Sequence, residues 1–294
     1  MNKLRTLGKW IGGIFLTLIL LVVVAYFTIS HNINQRIQKP YSFTTENLAI
    51  PTDKATLQRG EHLATIKGCT DCHGKNLAGK IFMNDGPIGR IVAANLTRGK
   101  GGRPADYSTS DWLMALRHGV DRKGRPLLFM PSHESTVLAE PDLQALIAYC
   151  QQVPAVDNEL PGHDIGPVAK VMTYLGKMPL LPVEMIDHQK PMVARADTTL
   201  GIGQGKYLSI TCTGCHRPDL KGGDPVAPGF PPTPNLTSTG ATGRWTLDQF
   251  VHTLRTGKTP NGHQINNDHM PWKMTAAYSD IELASLYQYF RSLK

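Results

Sequence analysis

The sequence predicts a mainly α-helical protein, with an N-terminal transmembrane helix followed by two tandem copies of one small helical domain. Three observations predict it. An uncharged run of twenty residues lies near the N-terminus, the pentapeptide pattern C-x-x-C-H occurs twice, and other landmarks recur at fixed distances in both halves. A chain of 294 residues has room for about two domains, each burying its own core.

The first element follows Lys3, Arg5 and Lys9. The run from Trp10 to Ile29 is uncharged, with Gly12, Gly13 and Thr17 as weakly polar interruptions in its first half. As a helix it is about 30 Å long, the thickness of a hydrocarbon core. A cleaved signal peptide is the rival reading, but its apolar region is shorter, and residues 24–29 offer no small-x-small cleavage site. An uncleaved anchor over residues 1–31 is therefore expected, followed by an extracytoplasmic lead over 32–53. The basic residues ahead of the run favour a cytoplasmic N-terminus, with Arg36 and Lys39 weakening the asymmetry.

The repeated motifs are Cys69-Thr70-Asp71-Cys72-His73 and Cys212-Thr213-Gly214-Cys215-His216. In each, two thiols are spaced to form thioethers with the vinyl groups of a haem, and the adjoining imidazole is placed to ligate the iron. A zinc half-site would want a further Cys or His pair at close spacing, and none follows. A thioredoxin-like dithiol would want a strand-helix setting that the sequence lacks. The expected cofactors are thus two covalently bound haem c groups. Cys150, the fifth cysteine, stands in an apolar helical run and reads as a small buried residue. Covalent haem attachment takes place outside the bacterial cytoplasm, which agrees with a single-pass inner-membrane protein whose haem domains face the periplasm.

The repeat extends well beyond these motifs. Asn95-Leu96-Thr97 returns as Asn235-Leu236-Thr237, and Met130-Pro131 as Met270-Pro271, with 35 residues from Asn to Met in both copies. Tyr149 and Tyr289 each lie 19 residues after their methionine. Gly60 and Gly205 open the copies in short helices that run into the haem motifs. Thr109–Gly119 and Thr246–Gly257 read as helices with a Thr N-cap and a terminal Gly. Asp142–Cys150 and Asp280–Leu293 read as amphipathic terminal helices. The domains are expected at 54–153 and 201–294, each running helix, haem motif, loop, helix, Met-Pro loop, helix. A Pro-rich connector over 154–200 joins them, with one short helix near Val168–Leu181 and with Met172, Met178, Met185 and Met192 as packing residues.

These motifs and Met-Pro pairs resemble the membrane-anchored dihaem c-type cytochromes, built from two class I cytochrome c domains, over residues 54–294. Similar domains occur in the cytochrome subunits of membrane-bound alcohol and aldehyde dehydrogenases, which typically carry three haem motifs where this chain has two. The resemblance implies His73 and His216 as proximal ligands and Met130 and Met270 as sixth ligands. A thioether there stabilises reduced iron and raises its potential. Met83, Met114 and Met274 are competing sulfurs, and His133 and His269 competing imidazoles, although the two histidines break the repeat symmetry. The family holds the proximal His N–H with a proline carbonyl, for which Pro87 and Pro228 are the matching positions; both also read as ordinary turn prolines. Asn95 and Asn235 read as propionate donors or as turn-fixing residues. Trp112 reads as core, and the pairs Gly60–Tyr149 and Gly205–Tyr289 as close crossings of first and last helices.

The function expected is electron transfer between a respiratory or dehydrogenase donor and a cytochrome or terminal-oxidase acceptor, with no catalytic side chain. A dihaem enzyme of peroxidase or thiosulfate-oxidising type is the alternative. It needs an open iron, and a matched methionine for each haem speaks against that. The formal net charge of +8 includes the three cations ahead of the apolar run, and haem propionates lower it further, so it does not point to nucleic acid. The expected partners are donor and acceptor proteins, the membrane, and a dehydrogenase or oxidase complex.

Overall fold

The computed structural model describes residues 2–226 and 229–294, and side chains from Thr6 onward. Helix α1 (Asn2–Gln38) contains the apolar run and continues beyond it. This is longer than the anchor expected to end at residue 31. The last turns are held by docking rather than by hydrophobic composition: Tyr26, Ile29, Ser30, Ile33 and Arg36 fall on one face and are wholly or partly buried, and Arg36 pairs with Glu184. Residues 39–53 then wrap the first domain. The Phe43 ring stacks on His118 and His188 at 4.6 and 4.0 Å, and Glu46 pairs with the buried Arg117.

The first copy of the repeat comprises α2 (Lys54–Ile66), α3 (Cys69–His73), a hairpin of β1 (Lys80–Asp85) and β2 (Gly89–Ala93), α4 (Thr109–His118), α5 (Ser132–Ser135) and α6 (Glu140–Gln152). The hairpin is a departure from the loop expected after the haem motif. Its strands are antiparallel, joined across residues 86–88, and rich in β-branched residues. A third strand, β3 (Asp164–Ile165), adds to β2 and leads into α7 (Pro167–Tyr174), the short connector helix, which ends before Pro179. A 3₁₀ turn follows at Pro182–Met185.

The second copy of the repeat follows the same helical plan with α8 (Ile202–Leu208), α9 (Ile210–His216), α10 (Leu247–Thr256), α11 (Trp272–Thr275) and α12 (Asp280–Ser292). Ser108, rather than Thr109, caps α4 through a capping box with Asp111, while Thr246 caps α10 with Gln249. Both helices stop at a left-handed glycine, Gly119 (φ 68°) and Gly257 (φ 70°).

First and last helices cross closely in each copy. A Cβ at Gly60 would lie 2.0 Å from the Ala145 carbonyl oxygen, and one at Gly205 would lie 2.0 Å from that of Ser285. Glycine lets the backbones touch there. The two copies then pack on each other, with one apolar core running through both. His62 of α2 donates to Glu282 of α12 at 2.8 Å, and its repeat counterpart, Tyr207 of α8, donates to Asp142 of α6, also at 2.8 Å. Arg59 holds Asp142 through two hydrogen bonds of 3.0 and 3.1 Å and reaches Glu282 at 3.4 Å. Tyr278 donates across the interface to the Ile66 carbonyl at 3.2 Å.

Candidate functional site

Each C-x-x-C-H motif forms a short helix. In the first copy, left-handed Gly68 (φ 74°) starts α3 and Gly74 (φ 78°) ends it; in the second, Arg217 (φ 71°) occupies the ending position. The chain then turns through a buried leucine in the left-handed region, Leu77 (φ 55°) in one copy and Leu220 (φ 59°) in the other. Such a backbone is unfavourable for leucine, and its recurrence marks a constraint shared by both sites. Gly79 N–H donates to the His73 carbonyl and Gly222 N–H to that of His216, closing each turn over its histidine.

The imidazoles are buried and fixed. His73 Nδ1–H donates to the Ala94 carbonyl at 2.7 Å, and His216 Nδ1–H to the Pro234 carbonyl at 2.9 Å. Burial pushes both imidazoles below the ordinary histidine range, His73 to about 4, against the opposing pull of the carbonyl each one faces. Each ring is therefore neutral at pH 7, with Nδ1 occupied and the Nε2 lone pair available to a metal. Pro87 is not the acceptor, and Pro228 lies outside the described residues. The true acceptors immediately precede Asn95 and Asn235. Those asparagines fix the turn: their side-chain oxygens accept from the N–H of Thr97 and Thr237 at 2.9 and 2.8 Å.

A cavity of about 570 Å³ of empty space, partly open to solvent, lies over the first motif. Cys69, Cys72 and His73 form one side, and Met130, Leu116 and Leu138 line it too, with Thr211 of the second copy at its edge. Histidine and methionine from segments 57 residues apart are thus brought to one largely apolar space, and His133 is not among its walls. Paired sulfurs, a neutral imidazole with a free nitrogen and a thioether form a donor set that fits a haem. Met270 occupies the equivalent loop and, like Met130, packs against the shared apolar core. Its rival Met274 points elsewhere, its sulfur lying 3.4 Å from where a Cβ on Gly68 would be, across the domain boundary. His269 lies against Phe230, the two rings tilted by 45° with centroids 4.8 Å apart. Among the described residues no three His, Cys, Asp or Glu side chains converge on a metal-binding point, so the zinc reading has no donor set.

Residues 202–294 match the family described as Cytochrome c. This segment is a cytochrome c domain. A domain of this kind binds haem c covalently, which agrees with Cys212, Cys215 and His216 inside the matched range. The chain is similar to the cytochrome c subunit of alcohol dehydrogenase (quinone) from Gluconobacter oxydans, 25% identical over 271 residues, covering 82% of this chain and 55% of that protein. It is similar at 25% over 271 residues to the fructose dehydrogenase cytochrome subunit of Gluconobacter japonicus, covering 85% of this chain and 55% of the relative. A shorter match, 36% over 121 residues, covers 40% of this chain and 25% of the gluconate 2-dehydrogenase cytochrome c subunit of Pantoea cypripedii. The chain spans about half the length of the longer curated relatives it matches.

Sequence reasoning missed Ala94 and Pro234, since any residue can supply a carbonyl. The repeated Asn-x-Thr was the available signal, because an Asx turn fixes the peptide just before it. Cys150 is buried in α6, where burial pushes its thiol well up. Trp112 packs edge-on to Tyr107 in the core at 5.2 Å.

Proposed function

We propose that the chain is a membrane-anchored dihaem cytochrome c that relays electrons from a quinone-linked dehydrogenase to a cytochrome or terminal-oxidase acceptor. The observation that carries this reading is the duplication of one complete ligand frame. In both copies a C-x-x-C-H helix, a carbonyl-locked histidine and a methionine loop stand in the same order. Haem bound in such a frame supplies an iron that gains and loses one electron. The chain's own work is to keep His73 and Met130, and His216 and Met270, in fixed positions while the charge changes. The Ala94 and Pro234 carbonyls, the Asx turns and the buried leucine turns serve that rigidity. The apolar wall around the first site favours the state with less net charge and so supports a raised potential.

In this reading α1 is the anchor, its N-terminus in the cytoplasm and both haem domains in the periplasm. The dehydrogenase partner is supported by the printed roles of the relatives. An enzymatic role would need an open iron, and in this reading Met130 and Met270 would each hold one. The test is haem content. Denatured protein should keep two haems per chain through gel electrophoresis, and Cys72→Ala or Cys215→Ala should weaken retention of one while the other stays. Retention of a single haem by the unaltered chain would overturn the dihaem assignment.

A further inference from the structure

Among the described residues, nothing covers one face of helix α7. Ala169 and Thr173 are buried inward, whereas Val168 and Leu175, seven residues apart and so on one face, are 41% and 61% exposed. Tyr174 is 51% exposed, and half-buried Val171 and Met172 complete an apolar arc of about 160° at 100° per residue. Five neighbouring apolar side chains on one short helix and its C-cap residue, Leu175, are more than the scattered exposure that soluble surfaces tolerate. Exposed Met185 stands in the 3₁₀ turn that follows.

The position of this helix says what covers it. α7 packs along the C-terminal half of α1, where Tyr26 and Ile29 are partly buried and Ile33 is fully buried. Lys170 Nζ donates to Ser30 Oγ at 3.3 Å. Ser30 is the first residue after the apolar run, and α7 is only about 12 Å long, so its whole length lies near the level at which α1 leaves the hydrocarbon. Arg36 paired with Glu184 ties the segment after α7 to the same helix. The exposed arc therefore continues the apolar surface of α1, with Lys170 at its polar edge and exposed Lys177 just beyond it. A tyrosine and lysines beside an apolar arc match the composition of the membrane interface.

We propose that α7 and the turn after it lie in the interface of the membrane that α1 spans, giving the protein a second membrane contact. This rests on the anchor reading of α1. The first domain is then seated on the bilayer in one orientation rather than tethered by a single helix.

The test uses the full-length, haem-loaded protein in nanodiscs of phosphatidylethanolamine and phosphatidylglycerol. Single cysteines are introduced as Leu18→Cys, Leu175→Cys, Val168→Cys and Ile281→Cys and labelled with a nitroxide; Cys150 is buried and does not compete. Val168→Cys stands in should Leu175→Cys fail to load haem. Collision with oxygen and with a water-soluble nickel chelate reports the surroundings of each label. At Leu18 and at Leu175 or Val168, oxygen collisions should exceed those with nickel, and the order should reverse at Ile281 on α12. A Leu18 label in lipid with the α7 labels as open to nickel as Ile281 overturns the interfacial helix alone. So does shielding of the α7 labels only after a dehydrogenase is added, which would make this face a protein contact. A Leu18 label open to nickel overturns the anchor and the inference with it.

Discussion

Glu282 is the residue on which the packing of the two domains can be tested most sharply. It is buried, and burial alone would raise its pKa. Hydrogen bonds from His62 and from the Ser279 N–H, together with the charges of His62 and Arg59, outweigh that and hold the carboxyl at about 2, against an ordinary value of 4.5. Glu282→Gln keeps the shape and the capping box, as Gln249 does at the start of α10, and removes only the charge. The interval from 4.5 to 2 corresponds to about 3 kcal/mol. Because the Arg59 and His62 side chains remain 32% and 28% exposed, solvent screening reduces this to about 2 kcal/mol.

A carboxyl whose folded value is depressed stabilises the protein above its unfolded value and loses that contribution as pH falls through the folded one. The variant should therefore melt roughly 4–8 °C below the parent at pH 7. The gap should hold down to about pH 4.5 and close as pH approaches 2. The assay is paired thermal unfolding of the detergent-solubilised proteins, followed by far-ultraviolet circular dichroism across that pH range. Equal melting at pH 7, or a gap that does not change with pH, would refute the role given to this ion pair.

Two further perturbations separate local from interdomain roles. Met270→Ala should open one iron to carbon monoxide and lower that haem's potential, whereas Met274→Ala, whose sulfur sits beside Gly68 of the other domain, should leave the haem spectra unchanged; spectroscopy of the two reduced variants decides between them. Gly60→Ala and Gly205→Ala should each destabilise by about 1–3 kcal/mol, because the forced separation of α2 from α6, or of α8 from α12, exceeds the roughly 1 kcal/mol that alanine gains in a helix; denaturant titration measures the difference.

The long helices and their glycine stops were legible because their determinants are local, although the cap of α4 was read one residue late, at Thr109 in place of Ser108. Gly119 and Gly257 stop helices by a conformation that favours glycine, and Asp111 and Gln249 complete capping boxes within one turn. The close crossings at Gly60 and Gly205 were legible through repetition, since a small residue opposite a tyrosine at the same offset in two copies reports geometry. The hairpin at 80–93 escaped because the second copy has no counterpart among its described strands, so the repeat gave no hint of it. The continuation of α1 to Gln38 escaped because its last turns are polar and owe their order to α7 and Glu184, contacts with residues more than a hundred positions away. For the same reason the exchange of His62, Tyr207, Asp142 and Glu282 across the domain boundary could not be read from spacing, although the repeat pairs each of these residues with its counterpart.

In the proposed function both irons are closed by methionine and serve electron transfer alone. The unmodified, fully reduced protein is exposed to carbon monoxide, which binds any iron with an open position. Spectra unchanged at both haems are expected, and a carbon monoxide adduct at either haem would overturn the proposal.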